Sequence, residues 1–428
     1  MRAETHVGSG LMLRAFYRSA SIRAAAVLGL GGLAFTLGNL IFARTLPAGE
    51  YGIVSLFIGI VAVAGLAAPL GLDLVIGRRG LLLDSHWRRA IMAITIAVGL
   101  ATAVVSAIAY RLEPAILACI VITTVASGLV QASAAHFQGQ QRFGPATWIV
   151  QLSNWTLFLA ALLGAAFRLH TAVESCGLLA LTTTAGGAFA WVIARTKAAH
   201  QPTPGTLVTE GLSLVSIHVS NSVFLQLERL LLAPIAGVQA LALFGVVAAL
   251  VASPFRMLQM AVLFTLTPGL RQAKGIEERR RLLRREMLLV AGVIGVGSVI
   301  TWYVAPPLAH WILAGRYDLS AALMCAALVS GALKLCSAFT TGTVIALSEE
   351  KGLRALGAVS WMTIGLSVVA SLAAAPWGLV GVLYGVSAGW LVRSLIAGWM
   401  AMPHVRRPAV HHPRAPYEDR SQMPGAPR

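Results

Sequence analysis

Apolar runs of about 20 residues recur along the whole chain, with short polar breaks between them. A run of this length is what an α-helix needs to cross the hydrocarbon core of a bilayer. Proline, glycine and polar residues cluster in the breaks, as in "TLPAGEYG" and "HQPTPG", and favour turns there. The pattern predicts twelve transmembrane helices, at approximately 24–43, 52–76, 90–109, 114–135, 145–167, 175–194, 211–233, 240–267, 287–313, 320–347, 355–375 and 377–401.

The composition supports this pattern. Of 428 residues, 57% are hydrophobic and 11% are charged, and the mean hydropathy is +0.78. A soluble domain carries roughly 25% charged residues. Because the deficit of charge extends over the whole chain, we expect an all-α, polytopic membrane protein and not a soluble protein with one anchor.

Lysine and arginine are concentrated in alternate breaks. Of 33 such residues, 25 lie in segments 1–23, 77–89, 136–144, 195–210, 268–286, 348–354 and 402–428. The other breaks carry four, Arg44, Arg111, Arg168 and Arg316. Since basic loops stay in the cytoplasm, the bias predicts that both termini are cytoplasmic. It also explains the net charge of +17 by contact with anionic membrane lipid, so no nucleic-acid partner is expected.

Twelve spans divide into two six-helix lobes of the same orientation around a central cavity. The predicted units are a cytoplasmic segment (1–23), an N-lobe (24–194), a cytoplasmic linker (195–210), a C-lobe (211–401) and a disordered cytoplasmic tail (402–428). The strongly basic segment 271–286 is predicted to form an amphipathic helix on the lipid surface.

Charged residues inside predicted spans are the candidate functional residues, because a charge at the bilayer centre costs at least about 2.5–3.5 kcal/mol. The bases are Arg229, Arg256, Lys334 and Arg393, and the acids are Asp73 and Glu228. Lys334 lies near the middle of its span, and at ~100° per residue it shares one narrow polar stripe with serine and threonine side chains.

The seventh predicted span has the widest polar arc. Its members lie within about 160° of one another and must therefore face protein or water. They are His218, Asn221, Ser222, Gln226, Glu228 and Arg229. The eighth span adds Gln259, and the first half offers Gln131, Gln151 and Asn154.

Two interpretations of these polar groups remain open. They can be hydrogen-bonded contacts between helices in a dry bundle, or they can line a water-filled cavity. For Lys334 and Arg256 we favour the cavity, because Glu228 is expected near the outer end beside Arg229, which leaves surplus positive charge. We assign Lys334, Arg256 and Arg393 to an anionic substrate and Glu228, Arg229 and Asp73 to a gate or ion pair. The predicted polar lining is His218, Asn221, Gln226, Gln259, Gln131 and Asn154.

Three stretches resemble the polysaccharide-export flippases of the multidrug/oligosaccharidyl-lipid/polysaccharide superfamily. The first is "LIFARTLPAGEYGIVSLFIGIVAVAGLAAPLGLDLVIGRRG" at 40–80. The others are "GQQRFG" at 139–144 and "LERLLLAPIAGVQALALFGVVAAL" at 227–250. The chain departs from the family at Phe244, where tyrosine is common, and at Arg229, which directly follows the acidic position.

The resemblance implies a transporter that flips undecaprenyl-diphosphate-linked oligosaccharide across the bacterial inner membrane for surface polysaccharide synthesis. The partners it implies are the lipid-linked saccharide and membrane lipids, and it leaves open an association with other polysaccharide-assembly membrane proteins. No cofactor or metal is expected. A coupling ion, H⁺ or Na⁺, is left open.

Two other functions stay under consideration. A cation-coupled multidrug exporter of the same fold would need acidic residues deep in the first half, where only Asp73 is available. A membrane-embedded polysaccharide polymerase would need a large extracytoplasmic loop, which the pattern lacks. The absence of a GxxxxGK[ST] phosphate-binding loop speaks against a built-in ATPase, and we expect no enzyme.

Overall fold

The computed structural model describes residues 20–195, 207–255, 275–348 and 350–406, together with residues 258, 259, 262, 266, 270 and 273. These residues form twelve α-helices and no strand. The helices are α1 (Ala20–Thr45), α2 (Ala48–Ala67), α3 (Leu72–Arg79), α4 (Ser85–Tyr110), α5 (Pro114–Gly139), α6 (Phe143–Ala166), α7 (Ala172–Ile193), α8 (Leu207–Val247), α9 (Ile276–Leu313), α10 (Ala321–Leu347), α11 (Glu350–Ala373) and α12 (Gly378–Arg406).

Eleven helices in the described part of the chain are long and apolar enough to cross a membrane. The predicted all-α, multi-pass fold is therefore confirmed. The count differs from twelve because α8 contains two predicted spans, which meet at Gly237 (φ 84°, ψ 170°). We call the segments 207–236 and 238–247 α8a and α8b. Arg229 and Phe244, on either side of Gly237, line the same cavity, so the chain reverses direction there.

The second predicted span, 52–76, ends too late. Helix α2 ends at Ala67, and a turn through Leu70 (φ 47°) and Gly71 (φ 77°) leads into the separate short helix α3. Pro69 lacks a backbone N–H, and glycine readily adopts the positive φ of the turn. Asp73 consequently lies in the first turn of α3 and not in a membrane span.

The basic segment near mid-chain is helical but not separate. Residues 276–286 form the first turns of α9, which continues without a break to Leu313. With 38 residues, α9 is about 57 Å long at ~1.5 Å per residue. The predicted helix is therefore present in the described part of this segment, as the first turns of a longer helix, and its position at the lipid surface stays a prediction.

Residues 1–19, 196–206 and 407–428 lie outside the described residues, and so do most of the predicted N-terminal segment, linker and tail. The part of the tail that is described, up to Arg406, continues α12. The boundaries predicted for the two lobes stay a proposal.

The turns of the bundle gather at two ends. The basic end carries the α3–α4, α5–α6 and α10–α11 turns and the starts of α8 and α9. The opposite end carries the α1–α2, α4–α5, α6–α7 and α9–α10 turns and Gly237. We call α1–α7 the first half of the chain and α8–α12 the second half. At the opposite end one buried apolar cluster joins both halves. It includes Leu46 and Tyr51 from the first half and Leu241, Leu323 and Val382 from the second.

At the basic end the described residues of each half have their own cluster. Trp87 and Phe137 belong to the first half, and Val344, Leu356 and Ala401 to the second. The halves stay in contact along α2, α3 and α8a. At Gly71 an added Cβ would lie 2.2 Å from the carbonyl oxygen of Gly211.

Candidate functional site

A cavity lies between the halves, where α1 faces α8 and α10. Its walls come from one helix of the first half and several segments of the second. The lining residues are Phe35, Leu225, Gln226, Glu228, Arg229, Phe244, Ala248, Ala252, Ser253, Phe255, Gln259 and Lys334.

A π-helical turn, Ala248–Ala252, shapes the wall that follows α8b. Pro254 lies two residues after this turn and has no backbone N–H to donate, which commonly disturbs the hydrogen-bond pattern of a helix. The backbone N–H of Ser253 bonds to the carbonyl of Ala248. The Ser253 hydroxyl lies 3.0 Å from the Thr36 hydroxyl of α1. This hydrogen bond joins the two halves beside the cavity.

Glu228 is the centre of a buried polar cluster. Its side chain is 1% exposed, and its Oε1 accepts hydrogen bonds from Lys334 Nζ at 2.5 Å and Ser330 Oγ at 3.0 Å. Ser330 and Lys334 lie on the same face of α10, as their spacing of four predicts. The carboxylate therefore fixes α8a to the middle of α10.

This arrangement corrects the predicted charge distribution. Glu228 forms an ion pair, but its partner is Lys334 and not Arg229. Because α8a continues to residue 236, Glu228 lies deeper in the bundle than the predicted span end at 233 implied. The expectation that Lys334 carries surplus positive charge is wrong for this conformation.

Arg229 is the base in the cavity lining that does not form the ion pair with Glu228. Its guanidinium lies 5.7 Å from the ring centre of Phe35, and Nη1 donates to Gln226 Oε1 at 3.2 Å. The residue is 4% exposed, and its Nε has no hydrogen-bond partner among the described residues. Gly59 of α2 gives it room, since an added Cβ there would lie 3.2 Å from Arg229 Cβ.

Arg393 is not among the residues that line this cavity. It is buried between α8a and α12, where Nη1 donates to Asn221 Oδ1 at 3.2 Å. Its guanidinium also lies over the rings of Phe224 and Trp390, which stack 3.9 Å apart. These contacts are typical of an arginine that packs two helices together. Arg256, the third predicted substrate contact, lies outside the described residues.

The predicted polar lining is divided. Gln226 and Gln259 line the cavity. His218 is exposed and lies on the side of α8a that carries Leu225, two turns nearer the basic end. Asn221 binds Arg393 instead.

The polar groups of the first half lie elsewhere. Gln131 is half-buried and not among the lining residues. Asn154 donates to Gln151 Oε1 at 2.6 Å, within α6. Gln151 in turn packs closely on Gly31 of α1. This pair therefore matches the interpretation of a contact between helices.

Asp73 forms no salt bridge with any described residue, so the ion-pair alternative of its assignment is not met and the gate alternative stays a prediction. It is buried, and its Oδ1 has no hydrogen-bond partner in the described part of the chain. Burial raises the pKa of this carboxyl to about 6, against the partial compensation of backbone N–H groups at the start of α3.

Two residues of the site were not in the predicted lining. Phe35 lies in a mostly apolar run beside Thr36 and Asn39, and Phe244 was noted only as a departure from the family pattern. Both reach the cavity because α1 packs against α8 and the π-helical turn that follows it. The cavity lining in the described residues thus carries one acid, Glu228, and two bases, Arg229 and Lys334.

Comparison with known proteins gives no match to a family model and no match among curated proteins. Solved structures do match. The lipid II flippase MurJ in an inward closed conformation has a TM-score of 0.65 at 11% identity, covering 89% of this chain and 87% of that chain. A multidrug resistance MATE family transporter of the MOP superfamily, in an inward-facing conformation, has a TM-score of 0.62 at 13% identity. The match covers 90% of this chain and 98% of that chain.

A third match is a MOP superfamily transporter from Pyrococcus furiosus, for which the reverse polarity of the binding pocket suggests a different function. It has a TM-score of 0.60 at 13% identity, covering 90% of this chain and 95% of that chain. At these identities the matches show the fold. The chain has the fold of MOP superfamily transporters, as the sequence resemblance predicted.

Proposed function

We propose that this protein flips a lipid-linked oligosaccharide, carried on undecaprenyl diphosphate, across the bacterial inner membrane. The diphosphate and the first sugars would enter the central cavity, while the lipid tail stays in the bilayer. Both termini would be cytoplasmic, so the basic end would face the cytoplasm and receive the substrate there. The product would serve surface polysaccharide synthesis.

One observation carries the proposal: the described lining of the cavity holds two bases, Arg229 and Lys334, for one carboxylate, Glu228. Glu228 is already occupied by Lys334 and Ser330. Arg229 keeps an unused N–H on Nε. A guanidinium presents its donors in a planar fork that suits phosphate oxygens, and in a water-poor cavity such a charge-assisted hydrogen bond is strong.

Lys334 would join Arg229 once the substrate has entered. A diphosphate beside Lys334 competes with Glu228 for the ammonium group. Transfer of Lys334 from the carboxylate to the phosphate would release α10 from α8a, which links substrate binding to the movement of helices. Glu228 is also where a coupling ion, H⁺ or Na⁺, would bind after Lys334 has turned away.

The structural matches support transport of this kind, since MurJ is a lipid II flippase. They also include multidrug resistance MATE transporters, so a drug exporter is the main alternative. Binding of a cationic drug requires carboxylates that are not already neutralised. In the described lining the carboxylate of Glu228 forms an ion pair with Lys334. An anionic substrate fits this lining better. We also propose that the chain is not an enzyme.

The test is deletion of the gene in the native organism, followed by mass spectrometry of inner-membrane lipids. The proposal predicts that one completed oligosaccharide unit accumulates on lipid diphosphate and stays in the cytoplasmic leaflet. Wild-type protein should clear it, and Arg229→Gln should not. Unchanged lipids with increased drug sensitivity would identify an exporter instead. Accumulation of the unit in the outer leaflet would indicate a polymerase.

A further inference from the structure

We propose that a groove on the outside of the second half binds an anionic phospholipid of the membrane. The groove lies near the basic end, between the first turns of α9 and the last turns of α10 and α12. The proposal requires only that the chain spans a membrane, and it does not depend on the proposed function.

The groove exists because α9 packs against its neighbours around Val290 and separates from them between that contact and the basic end. Val290 of α9 packs with Leu335 of α10 and Phe255, and Phe339 of α10 joins them. Nearer the basic end the helices separate. Phe339 and Thr343 of α10, Gly398 and Met402 of α12 and Met287 of α9 form the walls there.

Two arginines lie at the mouth of this apolar groove. Arg280 and Arg284 both line it and are exposed. Along α9 they lie about 10 Å and 4.5 Å beyond Met287, at ~1.5 Å per residue. Met287 begins the apolar part of the helix. The arginines are therefore at headgroup level, and the apolar walls are at acyl-chain level.

The groove faces away from the central cavity. At ~100° per residue, Phe339, Thr340 and Thr343 lie about 140–240° around α10 from Lys334. Lys334 points to α8a and the cavity. A molecule in the groove is therefore in contact with the surrounding lipid and not on the path through the centre.

These features match one occupant. An apolar slot between membrane helices with arginines at its basic mouth fits an acyl chain and a phosphate headgroup of the same leaflet. A zwitterionic lipid would satisfy the slot but not the two charges. An anionic phospholipid satisfies both, and by filling the gap it would hold α9 against α10 and α12.

The test measures binding of dioleoyl-phosphatidylglycerol and dioleoyl-phosphatidylcholine to the purified full chain in detergent, by native mass spectrometry. Phosphatidylglycerol should bind more tightly. Arg280→Gln with Arg284→Gln should weaken it roughly 30-fold, since each arginine near a lipid surface contributes about fivefold. Gly398→Leu, which fills the groove without changing charge, should weaken both lipids.

The matched control is Arg281→Gln with Arg285→Gln, on the same helix and with the same loss of charge. These exposed arginines are not part of the groove wall. Their replacement should change phosphatidylglycerol binding by less than about threefold. Equal losses in the two double variants would reduce the effect to general surface charge and overturn the proposal. Equal binding of phosphatidylglycerol and phosphatidylcholine would also overturn it. A third contrary result is about tenfold tighter phosphatidylglycerol binding after deletion of residues 407–428, because it would mean that this segment and not a lipid occupies the groove.

Discussion

The two ends of the bundle are built differently. At the opposite end a single buried cluster joins the halves. Hydrogen bonds there also cross between the halves, from Arg316 Nη1 to the Arg44 carbonyl at 2.7 Å and from Tyr110 Oη to the Leu230 carbonyl at 3.1 Å. At the basic end, the described residues of each half pack mainly on themselves.

This difference bears on which end of the bundle would open in the proposed transport. Separating the halves at the opposite end would expose a shared apolar core, at about 25 cal/mol per Å² of buried surface. Separating them at the basic end exposes much less, apart from the seam of α2, α3 and α8a. Among the described residues the halves are thus joined more tightly at the opposite end, and the proposed transport cycle would have to open this end.

The largest effect is expected from a disulfide that joins the two halves beside the central cavity. Thr36 and Ser253 belong to different halves, and their hydroxyls are 3.0 Å apart. In a background without Cys119, Cys176, Cys325 and Cys336, Thr36→Cys with Ser253→Cys should form a bond under oxidation. Transport in proteoliposomes should then stop completely and return on reduction. Continued transport by fully cross-linked protein would show that α1 and the segment after the π-helical turn need not separate during transport.

The next largest effect is expected at the ion pair between the ends. Glu228→Gln leaves the half-buried ammonium of Lys334 without its carboxylate partner, and breaking a buried ion pair costs up to about 3–5 kcal/mol. Lys334→Met should cost a similar amount. The double variant should recover much of the loss in thermal stability, since both charges are gone. Additive losses in this cycle would mean that the two side chains do not interact in the folded protein.

A smaller effect concerns the pH dependence of the basic end. The pKa of Asp73 is about 6 in the folded chain and near 3.9 in an unfolded one. The folded state therefore binds the proton more tightly, and its free energy of unfolding falls as the pH rises from about 4 to about 6. The predicted fall from this residue is about 3 kcal/mol.

Asp73→Asn should remove this contribution, which melting curves of detergent-solubilised protein at several pH values can measure. The control is Asp318→Asn, because Asp318 is an exposed carboxyl in the α9–α10 turn. The assignment of this pH dependence to Asp73 would be contradicted if Asp73→Asn kept the wild-type dependence of melting temperature on pH while Asp318→Asn lost it.

The smallest effect is expected from a single methyl group at the opposite end. A Cβ on Gly52 would lie 2.0 Å from the carbonyl oxygen of Val238, whereas Gly49 has nothing within 4 Å. Gly52→Ala should therefore cost about 1–3 kcal/mol through overpacking. Gly49→Ala on the same helix should leave the melting temperature unchanged or slightly higher. Equal melting temperatures would indicate a looser seam between α2 and α8b.

The sequence was sufficient for the spans because apolar length alone specifies them. It also located the reversal near Gly237, since the polar and glycine-containing break between two runs is local. The break after Ala67 was missed, although Pro69 and Gly71 are recognisable turn residues, because the apolar run continues around them.

The partners of the charged residues were beyond a single sequence. Helical spacing places Lys334 with Ser330, but it does not say which helix faces them. Glu228 reaches Lys334 only through the packing of α8a on α10. Arg393 illustrates the same limit, because its position between Phe224 and Trp390 depends on how α12 meets α8a.

The central claim is that the cationic cavity moves a lipid-linked diphosphate, and the most direct measurement is flipping in proteoliposomes. Purified protein would be reconstituted with a fluorescent undecaprenyl-diphosphate oligosaccharide, and its transfer between leaflets would be followed by quenching from outside. Wild-type protein should transfer it, and Arg229→Gln should reduce the rate by at least about tenfold, the loss of one charge-assisted hydrogen bond. Arg168→Gln, at an exposed turn, should leave the rate unchanged. Equal rates for wild type and Arg229→Gln, or no transfer by folded wild-type protein, would contradict the account.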